Sequence, residues 1–179
     1  DVGSHIGDTI KKYKSVFPES KIFAFEPTET SYEKLLNQFG NDNSINVSLL
    51  GLSNKAEKKT FYLSESNNLN SFKKPNERAW GFEKKETTMV ETNTLDNICS
   101  INNIKHIDIL KLDVQGSEID VLKGSKLFLS AGEISLIYVE WQVVPLYKGH
   151  SRYYKIGEYL GQYGYELFNL GDYAENGPK

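Results

Sequence analysis

Two features of this sequence could do chemistry together. One is a glycine-bearing turn, Asp1-Val2-Gly3-Ser4-His5-Ile6-Gly7; the other is a carboxylate, Glu26, closing the apolar run at residues 21–25 (KIFAF). Glycines in such a turn let the backbone approach a ligand and expose amides at the start of the following helix. Their spacing is G-x-x-x-G, which differs from the G-x-G-x-x-G of pyrophosphate-binding dinucleotide folds. Glu26 follows Gly7 by about 20 residues, the place from which a strand-end carboxylate accepts both hydroxyls of a ribose. An adenosine ligand without a diphosphate would satisfy both features. A plain strand-to-helix turn and an exposed strand-end acid would satisfy them separately.

For these residues to meet, the chain must alternate strands and helices, and its apolar spacing does so. Ile6, Ile10, Tyr13 and Phe17 share one face of a first helix that Pro18 ends. Residues 21–25 form a strand. Tyr32, Leu35, Leu36 and Phe39 mark a second helix, with Thr30 and Glu33 in capping-box register and Gly40 at its close. Residues 45–50 (INVSLL) make a third strand. Residues 61–63 and 89–93 have strand character around a polar segment, 67–81 (NNLNSFKKPNERAWG), that is long for a connection inside a compact domain. A short helix is expected over 95–101 and a buried strand over 107–114 (IDILKLDV). A helix starts at Ser117, breaks near Gly124 and resumes to about Leu129, before another buried strand at 134–140 (ISLIYVE). Tyr153, Ile156, Tyr159, Leu160 and Tyr163 predict a last helix capped by Gly164, and 165–170 a last strand.

Such alternation predicts βαβ units around a mostly parallel sheet with right-handed crossovers. Ligands then bind at the carboxyl ends of the strands. That rule gathers residues 1–7, Glu26, residues 51–53, residues 113–118 and Glu140 along one rim.

Composition narrows the function classes. The 179 residues are 39% hydrophobic and 25% charged, which excludes wholesale disorder. With 21 Lys and Arg against 24 Asp and Glu, the net charge of −3 lacks the footprint of a dedicated nucleic-acid binder. No apolar run is long enough to span a bilayer. A single cysteine, Cys99, excludes an internal disulfide framework and any cysteine-only zinc site, so a soluble cytoplasmic domain is expected. The chain has room for one domain over residues 1–179. It opens as if at the end of a strand, and incompleteness at both ends is expected.

The blocks DVGSHIG, FAFEP, LGLS, TLD, IDILKLDVQGSEIDVLKG and LIYVEWQVVPLY, in this order, resemble the successive motifs of FkbM-type methyltransferases, from about Asp1 to Leu170. The resemblance implies a three-layer, Rossmann-like class I methyltransferase fold, a mostly parallel central sheet with helices on both faces. Its first and last strands would here be truncated. It implies S-adenosyl-L-methionine as methyl donor, with Asp1, Gly3, Ser4 and Gly7 around its methionine and ribose part. Glu26 would hold the ribose hydroxyls, and Leu52 and Ser53 would lie near the adenine. Asp113 would face cofactor and reacting centre, with Gln115, Gly116 and Glu118 in the turn beyond. Glu140 would line the acceptor side. His5 departs from the smaller polar residue common at its place in the family.

Direct displacement from a sulfonium needs alignment and exclusion of water but no covalent enzyme intermediate. A hydroxyl acceptor does need a general base, worth about 10²–10⁴-fold. Asp113, Glu118 and Glu140 are the catalytic candidates, with His150 as an outsider. Each has a plainer alternative: Asp113 as a cofactor-binding acid, Glu118 as a charge at a helix start, Glu140 paired with a lysine, His150 in solvent. Trp141, Tyr147, Tyr153 and Tyr154 could line an acceptor pocket or pack as core. The 67–81 segment, with Trp80, could close over it. Hard acidic ligands would suit a divalent metal, but no dedicated spacing is present and metal is left unassigned. The expected acceptor is a hydroxyl on a saccharide or natural product, that is, a small-molecule or glycan partner. A nicotinamide-dependent oxidoreductase and a non-catalytic binding remnant of the same fold are the alternatives. Oligomeric state is not readable.

Overall fold

The structure, a computed structural model, describes residues 1–65, 68–76, 86–142 and 146–171. The expected alternation is present as a mixed α/β arrangement. Helix α1 (Asp8–Val16) is followed by strand β1 (Ile22–Glu26), helix α2 (Glu29–Phe39) and strand β2 (Ile45–Leu49). Strands β1 and β2 pair in parallel, Ile22 opposite Ile45. The two-residue β3 (Gly51–Leu52) and the longer β4 (Glu57–Tyr62) flank β5 (Thr87–Asn93), which is parallel to β3 and antiparallel to β4. Helix α3 (Leu95–Ile101) leads to β6 (Ile107–Leu112), and helices α4 (Glu118–Lys123) and α5 (Lys126–Ala131) lead to β7 (Ile134–Val139). Strands β6 and β7 are again parallel. Helix α6 (Tyr153–Gly161) is last.

The sheet is in pieces, and a single residue joins two of them. Val2 makes parallel bridges to Phe25 of β1 and Leu112 of β6. Its amide donates to the Lys111 carbonyl at 3.0 Å and its carbonyl accepts from the Asp113 amide at 3.0 Å. One buried valine thus stands between two parallel pairs. Period-two alternation divides the packing. Ile22 and Ala24 meet Ile10 of α1, Leu35 of α2 and Ile45. Phe25, Leu110 and Leu112 pack into the larger core with residues of α3, α4, α5 and α6. Among the described residues no helix is long and apolar enough to cross a membrane.

Several expectations are corrected. Helix α2 starts at Glu29 with Thr28 at its N-cap, not at Thr30 in a capping box, and no side chain caps it. The Thr28 hydroxyl is committed to Glu26 instead. Strand β4 begins four residues before the expected 61, because Glu57–Lys59 form a charged edge that reads as loop but pairs along β5. Helix α6 ends at Gly161, and Gly164 takes its left-handed turn (φ 83°) only beyond that end. Residues 165–170 are not a strand. Leu167, Phe168 and Leu170 are exposed, and among the described residues no neighbouring strand satisfies that backbone. The break near Gly124 is confirmed: it separates α4 from α5, and a Cβ there would overlap the Ser53 carbonyl.

Candidate functional site

The strand ends converge as the alternation requires. Leaving the Val2 bridge, the chain turns at Gly3 (φ 80°), where a Cβ would overlap the Asp113 carbonyl oxygen. Glycine is therefore required for the end of the first strand to touch the end of β6. The Gly3 and Ser4 amides donate to the Phe25 carbonyl, and the buried Ser4 hydroxyl donates to the Asp1 carbonyl at 3.0 Å. His5 follows with a positive φ of 48°, and Gly7 stands at the N-cap of α1.

Glu26, only 6% exposed, sits at the tip of β1 beside this turn. One carboxylate oxygen accepts from the His5 amide at 3.0 Å. The other accepts from the Thr28 amide at 3.0 Å and the Thr28 hydroxyl at 2.6 Å. Burial raises the carboxyl above its usual range; the Thr28 and His5 hydrogen bonds oppose that shift, and the Asp113 charge adds to it.

Glu26, Gly3 and Asp113 share one cleft with Val2, His5 and Leu52. It is open to solvent, with about 630 Å³ of empty space once the solvent at its mouth is included. The far wall is apolar, with Leu50, Phe61 and Phe72; Asn68 and Asn70 stand beside it. Phe61 and Phe72 pack with ring centroids 4.6 Å apart. Ser53 is buried but outside this lining, its hydroxyl accepting from Lys59 Nζ at 3.2 Å.

Asp113, following β6, has one oxygen 3.4 Å from Lys111 Nζ and the other accepting from Gln115 Nε2 at 2.9 Å. Glu140 follows β7, its amide donating to the Leu112 carbonyl at 2.8 Å. The residue is exposed, yet its carboxyl is raised, first by desolvation and then by the charge and hydrogen bond of Asp113 beside it.

Glu118 points elsewhere. It is 1% exposed, its Oε1 accepts from the Gly116 amide at 2.9 Å, and burial pushes its carboxyl up to about 7. The Ser151 hydroxyl lies near it, donates to the Gly116 carbonyl at 3.1 Å and accepts from the Ile119 amide at 3.0 Å. His150 packs over Gly116, with Nδ1 3.3 Å from the Tyr147 carbonyl. Tyr147 is 1% exposed and donates to the Leu69 carbonyl at 2.6 Å, so it packs as core. Trp141 and Tyr153 stack at 4.9 Å, with Tyr154 edge-on to Tyr153. Trp80 lies outside the described residues. Among the described residues no group of three His, Cys, Asp or Glu side chains could hold a metal ion.

Sequence reasoning missed Lys111, Gln115 as a side-chain partner of Asp113, and the Phe61–Phe72 wall. Lys111 had a signal: it is the one cation in the buried strand IDILKLDV. The Phe61–Phe72 wall depends on a contact between a strand and a distant loop, which no local pattern announces.

Comparison with known proteins identifies relatives of this chain. The chain is 24% identical over 159 residues to the 2-O-methyltransferase NoeI of Sinorhizobium fredii, covering 83% of this chain and 65% of that protein. It is 26% identical over 140 residues to Methyltransferase 1 of Beauveria bassiana, covering 69% and 56%. It therefore spans less than two thirds of the length of either relative. A crystal structure of a methyltransferase FkbM from Methylobacillus flagellatus KT has a similar fold, with a TM-score of 0.51 and 18% identity over 76% of this chain and 31% of that one. Residues 1–167 match the Methyltransferase FkbM domain, and the chain belongs to that family.

Proposed function

We propose that this domain binds S-adenosylmethionine in the cleft and transfers its methyl group to a hydroxyl of a saccharide or natural-product acceptor. The observation that carries the reading is the buried Glu26 carboxylate, held by the His5 amide and Thr28 on the wall of a cleft it shares with Asp113. A ligand of this shape fits the lining: an acid for ribose hydroxyls, an unobstructed glycine turn, and apolar Leu50, Leu52, Phe61 and Phe72 for a base. When bound, it would supply an electrophilic methyl group. The protein's share is alignment and handling of a proton. Asp113, fixed by Lys111 and Gln115, would hold the positive end of the donor. Glu140, raised by desolvation and by the Asp113 charge beside it, is the acid we assign to take the acceptor's proton. Glu118, turned inward onto Gly116, would hold the turn that carries Asp113 and Gln115. Asp1, Ser4 and Gly7 would shape the opposite turn.

An oxygen acceptor is supported by the 2-O-methyltransferase among the relatives. We further propose that the parallel pairs joined at Val2 are the middle of a class I methyltransferase sheet, in one domain. The test is calorimetric titration of the full-length protein. Saturable binding of S-adenosylmethionine and S-adenosylhomocysteine is expected, weakened at least about tenfold by Glu26→Ala with the fold retained. Binding of neither would overturn the reading, and tighter binding of NAD would favour the oxidoreductase alternative.

A further inference from the structure

Lys111 is a cation where few occur. It lies inside β6, 5% exposed, between Leu110 and Leu112. A buried ammonium is costly unless paired, and this one reaches three acceptors on two chain segments. Its Nζ lies 3.2 Å from Asp1 Oδ1, 3.3 Å from the Gly3 carbonyl and 3.4 Å from Asp113 Oδ2. The Asp1 side chain is fully buried, and among the described residues neither of its oxygens has a hydrogen-bond partner; Lys111 is its countercharge. The same ammonium thus fixes the glycine turn from below and orients the acid on the facing wall.

We propose that Lys111 is a positioning residue of the donor pocket: one ammonium locks the Asp1 carboxylate, the Gly3 carbonyl and the Asp113 carboxylate into the arrangement that a sulfonium ligand meets. This rests on the reading of the cleft given above. Lys111 needs no contact with the donor; it acts through Asp113 and the turn. Its charge also reaches the raised Glu140 carboxyl and opposes that shift. The other groups facing it are His5 from the glycine turn, Tyr13 of α1 and Tyr138, its register partner in β7; Glu118 acts on the same pair through Asp113 and Glu140. Removing a cation from beside carboxylates makes them harder to ionise.

The test uses the full-length protein, titrated with S-adenosylmethionine from pH 5.5 to 9 as wild type, Lys111→Met and Lys111→Arg, with thermal unfolding of each. Affinity for a cationic ligand should rise as the raised Glu140 carboxyl ionises. In Lys111→Met the midpoint of that rise should move up by about one pH unit or more, with affinity at pH 7 down about tenfold. Lys111→Arg, which keeps the charge, should hold the wild-type midpoint. If Lys111→Met does not fold, the double variant Asp1→Asn/Lys111→Met removes the buried pair together and should show the same displacement. A folded Lys111→Met or double variant with wild-type midpoint and affinity would overturn the proposal, as would an equal displacement in Lys111→Arg. Wild-type protein that binds no donor would instead overturn the cleft reading beneath it.

Discussion

Two turns face each other across the cleft, and they are built on opposite principles. The turn at residues 3–7 and the tip of β1 form a closed hydrogen-bond set. Both oxygens of Glu26 are engaged, the Ser4 hydroxyl is engaged, and Gly3 meets Asp113 at backbone contact. The turn at residues 113–118 is under-satisfied. Glu118 Oε2 and the Ser117 hydroxyl are buried without a hydrogen-bond partner among the described residues, and burial pushes the Glu118 carboxyl up to about 7. A satisfied wall holds its shape at no further cost; an unsatisfied one keeps polar capacity and titrates near neutrality. On the reading proposed above, the first grips the ligand and the second carries Asp113 toward the reacting centre.

The largest effect should come from the point where the two turns touch. Gly3→Ala drives a methyl into the Asp113 carbonyl at a φ that disfavours side chains, and should cost about 3 kcal/mol or more of stability, read by denaturant unfolding. Next is the grip itself. Glu26→Gln places an amide donor against the Thr28 or His5 amide and removes the charge. Donor affinity should fall about 10–100-fold, measured calorimetrically, while the melting temperature changes little by comparison.

The titrating wall makes a prediction of opposite character. Glu118 has its carboxyl at about 7 against an ordinary 4.5. Between those values the folded state binds more protons than the unfolded one, so this residue's contribution to stability falls as pH rises through that window. Glu118→Gln should flatten the loss of stability between pH 5 and 8 by about 1–3 kcal/mol, seen as a melting temperature that declines less over that range than in wild type. A variant with the same decline as wild type would mean that Glu118 does not carry it.

The contrast between the walls also explains what the sequence could announce. Glu26, Asp113 and Glu140 were legible because they end apolar runs, and alternation alone brings strand ends to one rim. Leu95–Ile101 was legible to the residue because Thr94 accepts from the Asn97 amide as a true N-cap. What was not legible depended on where a side chain is spent. Thr30 and Glu33 have capping-box spacing, but helix α2 begins two residues earlier. Ser53 sits next to Leu52 in the motif, yet turns to Lys59 while Leu52 lines the cleft. Residues 165–170 have strand composition but, among the described residues, no partner strand, and pairing is a property of two segments rather than one.

Thr28→Val is the finest test of the satisfied wall. The substitution exchanges a hydroxyl for a methyl at the N-cap of α2, where Thr is ordinarily kept for capping. Here no side chain caps the helix, and the hydroxyl donates to Glu26 Oε1 at 2.6 Å instead. If capping were its task, the variant would lose helix stability and leave the donor pocket alone. The geometry dictates the reverse. The Glu26 carboxylate loses one of its three donors, keeps the amides of Thr28 and His5, and is pushed further above the ordinary range because a bond that favours its charged form is gone. Donor affinity at neutral pH should therefore fall only a few-fold, consistent with a hydrogen bond worth about 1 kcal/mol. The loss should deepen as the solution is acidified, since the variant's Glu26 protonates first. Titrations at pH 6 and pH 8 separate the two accounts: a wild-type-to-variant ratio larger at pH 6 identifies the hydroxyl as part of the grip, and equal ratios with a lowered melting temperature identify it as a cap.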